Sequence, residues 1–472
     1  MNSRLGGASA ALQQDNLEGA LDALVNAYAG LLKGDSPVRQ LPIGWGSADA
    51  LCSEIGSSLP RAKDRSELDH WNDVDLYIAT QLYAGGGHTA VIGDFVEHSG
   101  SARSALLLTG TVERDIYPDG EPSAEIIART RIDPADVQVC PHRERLLSLE
   151  WLVARVNEIR PRRVFLFHHP EDAVAVSAVR GSAAGRWFLV HHADRQPTSG
   201  LHIPGLELID LSRFTEAFSR LVLQVPGHFF PLTLTDVCAG DRPAFSLQSG
   251  GNLLTASSGT AGKFGPQYPE VVASIVQTTG GRHLHIGQLK KAQLEAIAAE
   301  LSSCGCDPQA FEYVKWVPSL ARALWDYGVD LLIGSVPIGG ARTKIEACCA
   351  ATPTLTHHAP GSLRFGSTHT QPDGLPLWQN VSELVSQLKA IDLPWLEHHS
   401  QLVRDHFVKN HHPDILRRAL IELDQGSAVR PANLVDPSIT ELCNLRELQS
   451  TLCGEWEWAR EELPGLSQNW SN

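Results

Sequence analysis

From residue 75 onward the chain alternates short apolar segments with amphipathic ones, and after an interruption at 225–251 it does so a second time. In the first run, strand patterns fall at 76–80, 105–109, 164–167, 187–190 and 206–211, separated by a glycine loop at 84–87 and helical patterns at 89–97, 146–158, 171–179 and 214–223. In the second, strands are read at 252–256, 283–286, 313–314, 329–333 and 354–356, with helices at 269–277, 291–301, 318–327 and 343–350. Strands that alternate with helices cannot pair as hairpins. They form a parallel sheet covered on both faces. The interruption is rich in Pro, Gly, Asp and Ser and reads as a crossover between domains. The expected class is therefore α/β, with two doubly wound, Rossmann-like domains in tandem.

A chain of 472 residues is in any case too long for a single core. Residues 1–70 are expected to be an N-terminal helical accessory element. Leu17, Leu21, Leu24, Val25, Tyr28, Leu31 and Leu32 recur at helical spacing over 16–32, and a short helix follows near 48–55. The first Rossmann-like domain takes 71–245 and the second 250–393. Residues 394–472 begin with a helical run at 394–423 that crosses back to the first domain. The tail beyond 424, with Trp456, Trp458 and Trp470, receives no assignment.

Hydrophobic residues at 43% and charged residues at 20% are the balance of a globular protein. A formal net charge of -15 repels phosphate backbones, so nucleic acid is not an expected partner. Residues 1–14 lack a signal pattern and no stretch has the length of a membrane span, which makes the expected location cytoplasmic. The nine cysteines make no CxxC…CxxC framework and are read as reduced thiols. Five His-His pairs begin at His168, His191, His357, His398 and His411. Adjacent side chains diverge on a strand, so these read as structural or solvent-facing and no metal site is expected. A formal DxD, Asp73-Val74-Asp75, is set aside because it is read as preceding a strand rather than ending one.

The sharpest motif is Pro337-Ile338-Gly339-Gly340-Ala341-Arg342-Thr343-Lys344-Ile345-Glu346, which follows the strand at 329–333 and opens a helix. Glycines let the backbone approach a bulky anion, and the first N–H groups of the helix point at it. Thr343 adds a hydroxyl donor for a phosphate oxygen. Glu346, one turn on, suits two ribose hydroxyls. The bland alternative is a capped helix whose Glu complements the dipole.

This segment resembles the nucleotide-sugar site of GT-B fold glycosyltransferases, especially the O-GlcNAc transferase class, whose motif Gly340, Thr343 and Glu346 match while Arg342 departs from it. Gln288-Leu289-Lys290-Lys291 is similar to the Gln-Leu-x-Lys of the same enzymes. The resemblance implies that Gln288 lies near the base or phosphates and that Lys291 supplies a point charge. The same resemblance implies a place for Lys263 against the donor phosphate, with a flexible, solvated turn as the equal alternative. It also implies two domains facing a cleft. Retaining members carry a second glutamate where Ile338 stands here, so an inverting reaction is implied, and that requires a route for the acceptor proton.

The base candidate is His88, in Gly85-Gly86-Gly87-His88 between a strand and a helix; a helix-capping histidine is the alternative. His191-His192-Ala193-Asp194 follows a strand at its carboxyl end, where open sheets bind ligands. One of its two histidines is expected to be structural, and His192 and Asp194 are the further candidates. The expected function is transfer of a sugar from a nucleotide-sugar, UDP-linked on the resemblance, to a protein, glycan or lipid-linked acceptor. No cofactor is expected beyond that co-substrate. The alternatives are a nucleotide-sugar 2-epimerase of the same fold and a non-catalytic relative that binds nucleotide-sugar or a partner glycosyltransferase.

Overall fold

The computed structural model describes residues 4–32, 44–59, 70–84, 87–112, 117, 120–192, 198–223, 225, 227–240, 242–358, 367–426 and 429. Two compact units emerge, one formed by 1–230 with 417–472 and the other by 231–416.

The first unit holds a seven-stranded parallel sheet in the order β3-β2-β1-β4-β5-β6-β7. Its strands are β1 (Asn72–Ala79), β2 (Arg103–Leu108), β3 (Val137–Val139), β4 (Pro161–Phe167), β5 (Arg186–His191), β6 (Leu206–Asp210) and β7 (Gly227–Phe229). Its helices are α1 (Gly6–Gln13), α2 (Leu17–Leu32), α3 (Gly46–Ser58), α4 (Gly87–His98), α5 (Ala124–Ala128), α6 (Arg145–Ile159), α7 (Ala173–Gly181) and α8 (Arg213–Phe218). The central strands are buried on both faces, as expected for a doubly wound sheet. Tyr77, Phe165 and Phe188 sit in register on neighbouring strands. Their rings stack at 5.4 and 5.2 Å between centroids, and Phe95 of α4 meets Phe165 edge-on at 5.7 Å. Truncating one such ring to Ala costs about 3–5 kcal/mol.

The N-terminal helices belong to this unit. Glu18 of α2 caps α6, accepting the N–H groups of Arg145 at 2.9 Å and Leu146 at 2.5 Å. A carboxylate there complements the positive end of the helix dipole. From α3, buried Asp49 accepts from the N–H groups of Gly200 (2.7 Å) and His202 (3.0 Å) and from His202 Nδ1 (2.9 Å). Helix α1 has no counterpart in the sequence reading, because its Gly/Ala-rich segment carries little periodicity.

Asp73-Val74-Asp75 lies inside β1, not before it. Asp75 is fully buried and pairs bidentately with Arg163 of β4, whose Nε is 2.7 Å from Asp75 Oδ1. Arg163 also donates to Ser99 O at 3.0 Å and to Asp424 at 2.6 Å. The motif therefore builds the amino-terminal rim of the sheet, opposite the edge where ligands bind.

The second unit holds a six-stranded parallel sheet in the order β10-β9-β8-β11-β12-β13. Its strands are β8 (Leu254–Ser258), β9 (Arg282–Ile286), β10 (Phe311–Val314), β11 (Leu331–Ile333), β12 (Thr354–His357) and β13 (Leu377–Trp378). The helices are α9 (Tyr268–Thr279), α10 (Lys291–Ser303), α11 (Leu320–Asp326), α12 (Ala341–Cys349), α13 (Val381–Lys389) and α14 (Leu393–Asn410). One apolar layer centres on Ala321, Ile345, Cys349 and Phe407, the other on Val272, Ile275, Ile297 and Trp378.

The run expected as one helix over 394–423 is two, α14 and α15 (Pro413–Asp424). Pro413 has no N–H to donate back into α14 but is well placed to start a helix. The second unit ends at Leu416, within α15. The chain then rejoins the first unit, where Arg186 donates to Leu423 O at 2.7 Å and Phe229 to Val429 O at 3.0 Å. Among the described residues, no helix is long and apolar enough to cross a membrane.

Candidate active site

Both sheets reverse their direction of winding beside their first strand, between β1 and β4 in one and between β8 and β11 in the other. The loops that leave neighbouring strands there run apart, and the gap at the carboxyl edge is where ligands enter open α/β sheets.

In the second unit three loops meet at this edge. After β8 the chain turns through Gly259, and after β9 through Gly287, with φ +154° and +136°. A Cβ on Gly287 would collide with the Gly259 carbonyl, so only glycine lets the two loops lie this close. Gln288 O accepts from Ala261 N at 2.7 Å, and Gln293 Nε2 reaches Ala261 O and Phe264 O at 3.2 Å each. After β11, Gly265 N donates to Val336 O at 2.8 Å and Phe264 bridges Pro337. Gly340 is the N-cap residue of α12, in extended conformation and with no side chain to cap the first-turn amides. A Cβ placed on Gly340 would lie 2.9 Å from both Lys263 Nζ and Thr343 Oγ1. An ammonium, a hydroxyl and a helix amino terminus thus converge on one spot at the switch point.

The other candidates of this unit are differently placed. Gln288 is exposed, and its ordered contact is through its carbonyl. Lys291 opens α10 with its side chain 90% exposed and Nζ 3.6 Å from Glu295. Glu346 is engaged: Oε2 accepts from Ala321 N at 3.0 Å, at the start of α11, and Oε1 is 3.6 Å from Arg342. Gly339 is buried just before the N-cap. Behind the loops lies a polar core that the sequence did not signal. Tyr268 Oη is 2.7 Å from His285 Nδ1, and His285 Nε2 is 3.3 Å from Gly259 O. Burial lowers His285 to about 4 and His283 to about 3, so both are neutral supports of the loop.

In the first unit the switch point is lined with histidines. His88 of α4 donates from Nε2 to Phe167 O at 2.7 Å. A carbonyl only accepts, so the proton is on Nε2 and Nδ1 keeps its lone pair. Nδ1 is enclosed and has no hydrogen-bond partner among the described residues. The His192 ring meets that of His88 at 4.7 Å between centroids, and the His169 ring meets it at 5.9 Å. His192 Nε2 donates to His168 O at 3.0 Å, and His169 Nε2 is 2.9 Å from Tyr83 Oη. Burial is the main cause that lowers His88 and His169 to about 4 and His192 well below its usual value; neighbouring imidazoles add to it. His191 turns the other way, buried with Nδ1 3.1 Å from Asp210. Asp194 lies outside the described residues. The approach of His169 and Tyr83 to His88 went unread, although a strand order of 3-2-1-4 puts the ends of β1 and β4 side by side.

No family model and no curated protein matches the sequence. Solved structures do match. A glycosyltransferase from Rickettsia africae superposes with a TM-score of 0.57 at 9% identity, over 75% of this chain and 99% of that one. A point mutant of the O-GlcNAc transferase from Thermobaculum terrenum gives 0.53 at 13% identity, over 93% of this chain and 81% of that one. Anabaena Alr3699/HepE, in complex with UDP and glucose, gives 0.53 at 11% identity, over 76% and 100%. The chain has the GT-B glycosyltransferase fold. At these identities the likeness establishes architecture, and the two switch points described above belong to the two Rossmann-like sheets of GT-B.

Proposed function

We propose that this GT-B protein is a glycosyltransferase that takes a nucleotide-sugar, UDP-linked, as donor. The observation that carries the reading is the convergence of Lys263 Nζ, Thr343 Oγ1 and the amino terminus of α12 beside Gly340. A diphosphate is the ligand chemistry that uses all three, because each stabilises negative charge on a bridging or terminal oxygen. Those same groups stabilise the nucleoside diphosphate as it leaves, without a divalent ion, and Gly339 lets the backbone approach it. Glu346 takes the ribose by releasing Arg342, and Gln288 and Lys291 stand at the outer rim of the site. The similar Anabaena protein was crystallised with UDP and glucose, which agrees with a UDP-linked donor.

The acceptor, a protein side chain, a glycan or a lipid-linked sugar, is read as binding at the histidine-lined switch point of the first unit. His88 Nδ1, the unprotonated ring nitrogen, takes the acceptor proton in an inverting transfer, and His192 and Asp194 complete the acceptor side. Nε2–H held by Phe167 O fixes the tautomer that this role needs. Incubation with a panel of nucleotide-sugars tests the reading. Release of free UDP with transfer or slow hydrolysis supports it. Formation of an epimer would mark a 2-epimerase instead, and binding with no turnover would mark a non-catalytic relative.

A further inference from the structure

Helix α10 ends in Cys304-Gly305-Cys306, a segment that the proposed transfer does not use. Gly305 has φ +75°, donates to Ser302 O at 3.2 Å, and is followed by Cys306 N donating to Leu301 O at 2.9 Å. Those two bonds with a left-handed glycine are the Schellman arrangement that closes a helix carboxyl terminus. It folds the residues on either side of the glycine toward each other. The two sulfurs are 3.4 Å apart, and Cys304 Sγ also lies 3.3 Å from Leu301 O. Both thiols are half-buried, and Leu301 beneath them is anchored in the core.

We infer that Cys304 and Cys306 form a thiol–disulfide exchange site that a low-molecular-weight disulfide closes and a low-molecular-weight dithiol reopens. The Cys304 thiolate attacks one sulfur of the small disulfide, whose S–S bond breaks and releases one small thiolate. Cys306 loses its proton and attacks the Cys304 sulfur of the mixed disulfide, expelling the second small thiolate. The pair gives up two electrons and two protons in all, and the small disulfide becomes two thiols. Burial and the adjacent Cys304 sulfur hold the Cys306 thiol above its usual range, which suits it to the second, intramolecular step. Side-chain rotation about a fixed backbone must bring sulfurs now 3.4 Å apart to the bonding distance of about 2.05 Å.

The other described cysteines supply controls. Cys52, Cys238, Cys348 and Cys349 are buried, and Cys140 is half-buried without a neighbouring thiol among the described residues. The full chain is incubated with oxidised glutathione, unreacted thiols are blocked, and peptides are weighed. The expected result is that the peptide spanning 304–306 loses two hydrogens and keeps no glutathione, while Cys140 carries the mixed disulfide. In C306S the adduct should persist on Cys304, and a dithiol such as dithiothreitol should restore the wild-type peptide. Free thiols at 304 and 306 when Cys140 is modified, or a stable glutathione adduct there in the wild type, would overturn the inference. Neither readout depends on glycosyl transfer.

Discussion

The imidazole of His88 meets that of His192 at 4.7 Å between ring centroids, the two rings inclined at 65°. Each donates its Nε2 proton to a main-chain carbonyl of the β4 end, His88 to Phe167 and His192 to His168. The cluster is therefore tied to one strand end. Its tautomers are set by the backbone, and His88 keeps one acceptor atom, the enclosed Nδ1, without a hydrogen-bond partner among the described residues.

If that atom takes the acceptor proton, His88→Ala lowers kcat by roughly 10²–10⁴-fold, the range for general-base catalysis. Affinity for UDP should barely change, since the groups proposed to hold it come from the other unit. The variant also leaves Phe167 O without its donor, which costs about 1–3 kcal/mol, so turnover is compared well below the melting temperature. A melting shift with normal kcat would reduce His88 to a structural histidine.

Lys263→Ala removes the ammonium beside the α12 amino terminus. UDP affinity should fall by about 1.5–3 kcal/mol, roughly ten- to 150-fold, measured by calorimetry. Gly340→Ala should weaken binding as well. Its φ of -130° accepts a side chain, so the new methyl acts by displacing Lys263 Nζ and Thr343 Oγ1 and not through backbone strain.

Glu346→Ala separates two roles of one carboxylate. It removes the acceptor for Ala321 N, so a stability loss of about 0.5–2 kcal/mol, as for other lost helix caps, is expected in the absence of ligand. If Glu346 also grips the ribose, UDP affinity drops by about 1–3 kcal/mol beyond that. Loss of stability with unchanged affinity would leave only the structural role.

Turnover is expected to survive excess EDTA. The DxD sequence is committed to the amino-terminal rim of the first sheet, with Asp75 paired to buried Arg163. Loss of activity that Mg²⁺ or Mn²⁺ restores would show that a divalent ion assists the leaving group after all.

Stability should fall as the pH drops below about 6.5. His88, His169 and His285 protonate near 4 in the folded chain and His283 near 3, whereas the unfolded chain protonates them near 6.5. Between those values the unfolded state binds more protons, so lowering the pH favours it. Each histidine contributes at most about 1.4 kcal/mol per pH unit across its window, less for His169, which is only partly buried. Melting temperatures from pH 7.5 to 4.5 check the slope, and His283→Gln should flatten it.

Much of the architecture was present in local pattern. The alternation of strands with amphipathic helices announced two doubly wound sheets, because the period of apolar residues depends only on each segment's own geometry. The helix start at Gly340 was equally local, since glycine at the N-cap followed by Thr343 and Glu346 is one continuous stretch. Which side chains meet was not local. Lys263 joins Gly340 and Thr343 because β8 and β11 are neighbours, and His169 and His192 join His88 because β4 stands beside β1 and β5 beside β4. Those adjacencies arise from crossovers that carry the chain to the far side of an earlier strand. The same fact engaged Glu346 with Ala321 and Asp75 with Arg163, partners supplied by distant segments. Periodicity records which face of a segment is buried; only the packed sheet determines what that face is buried against.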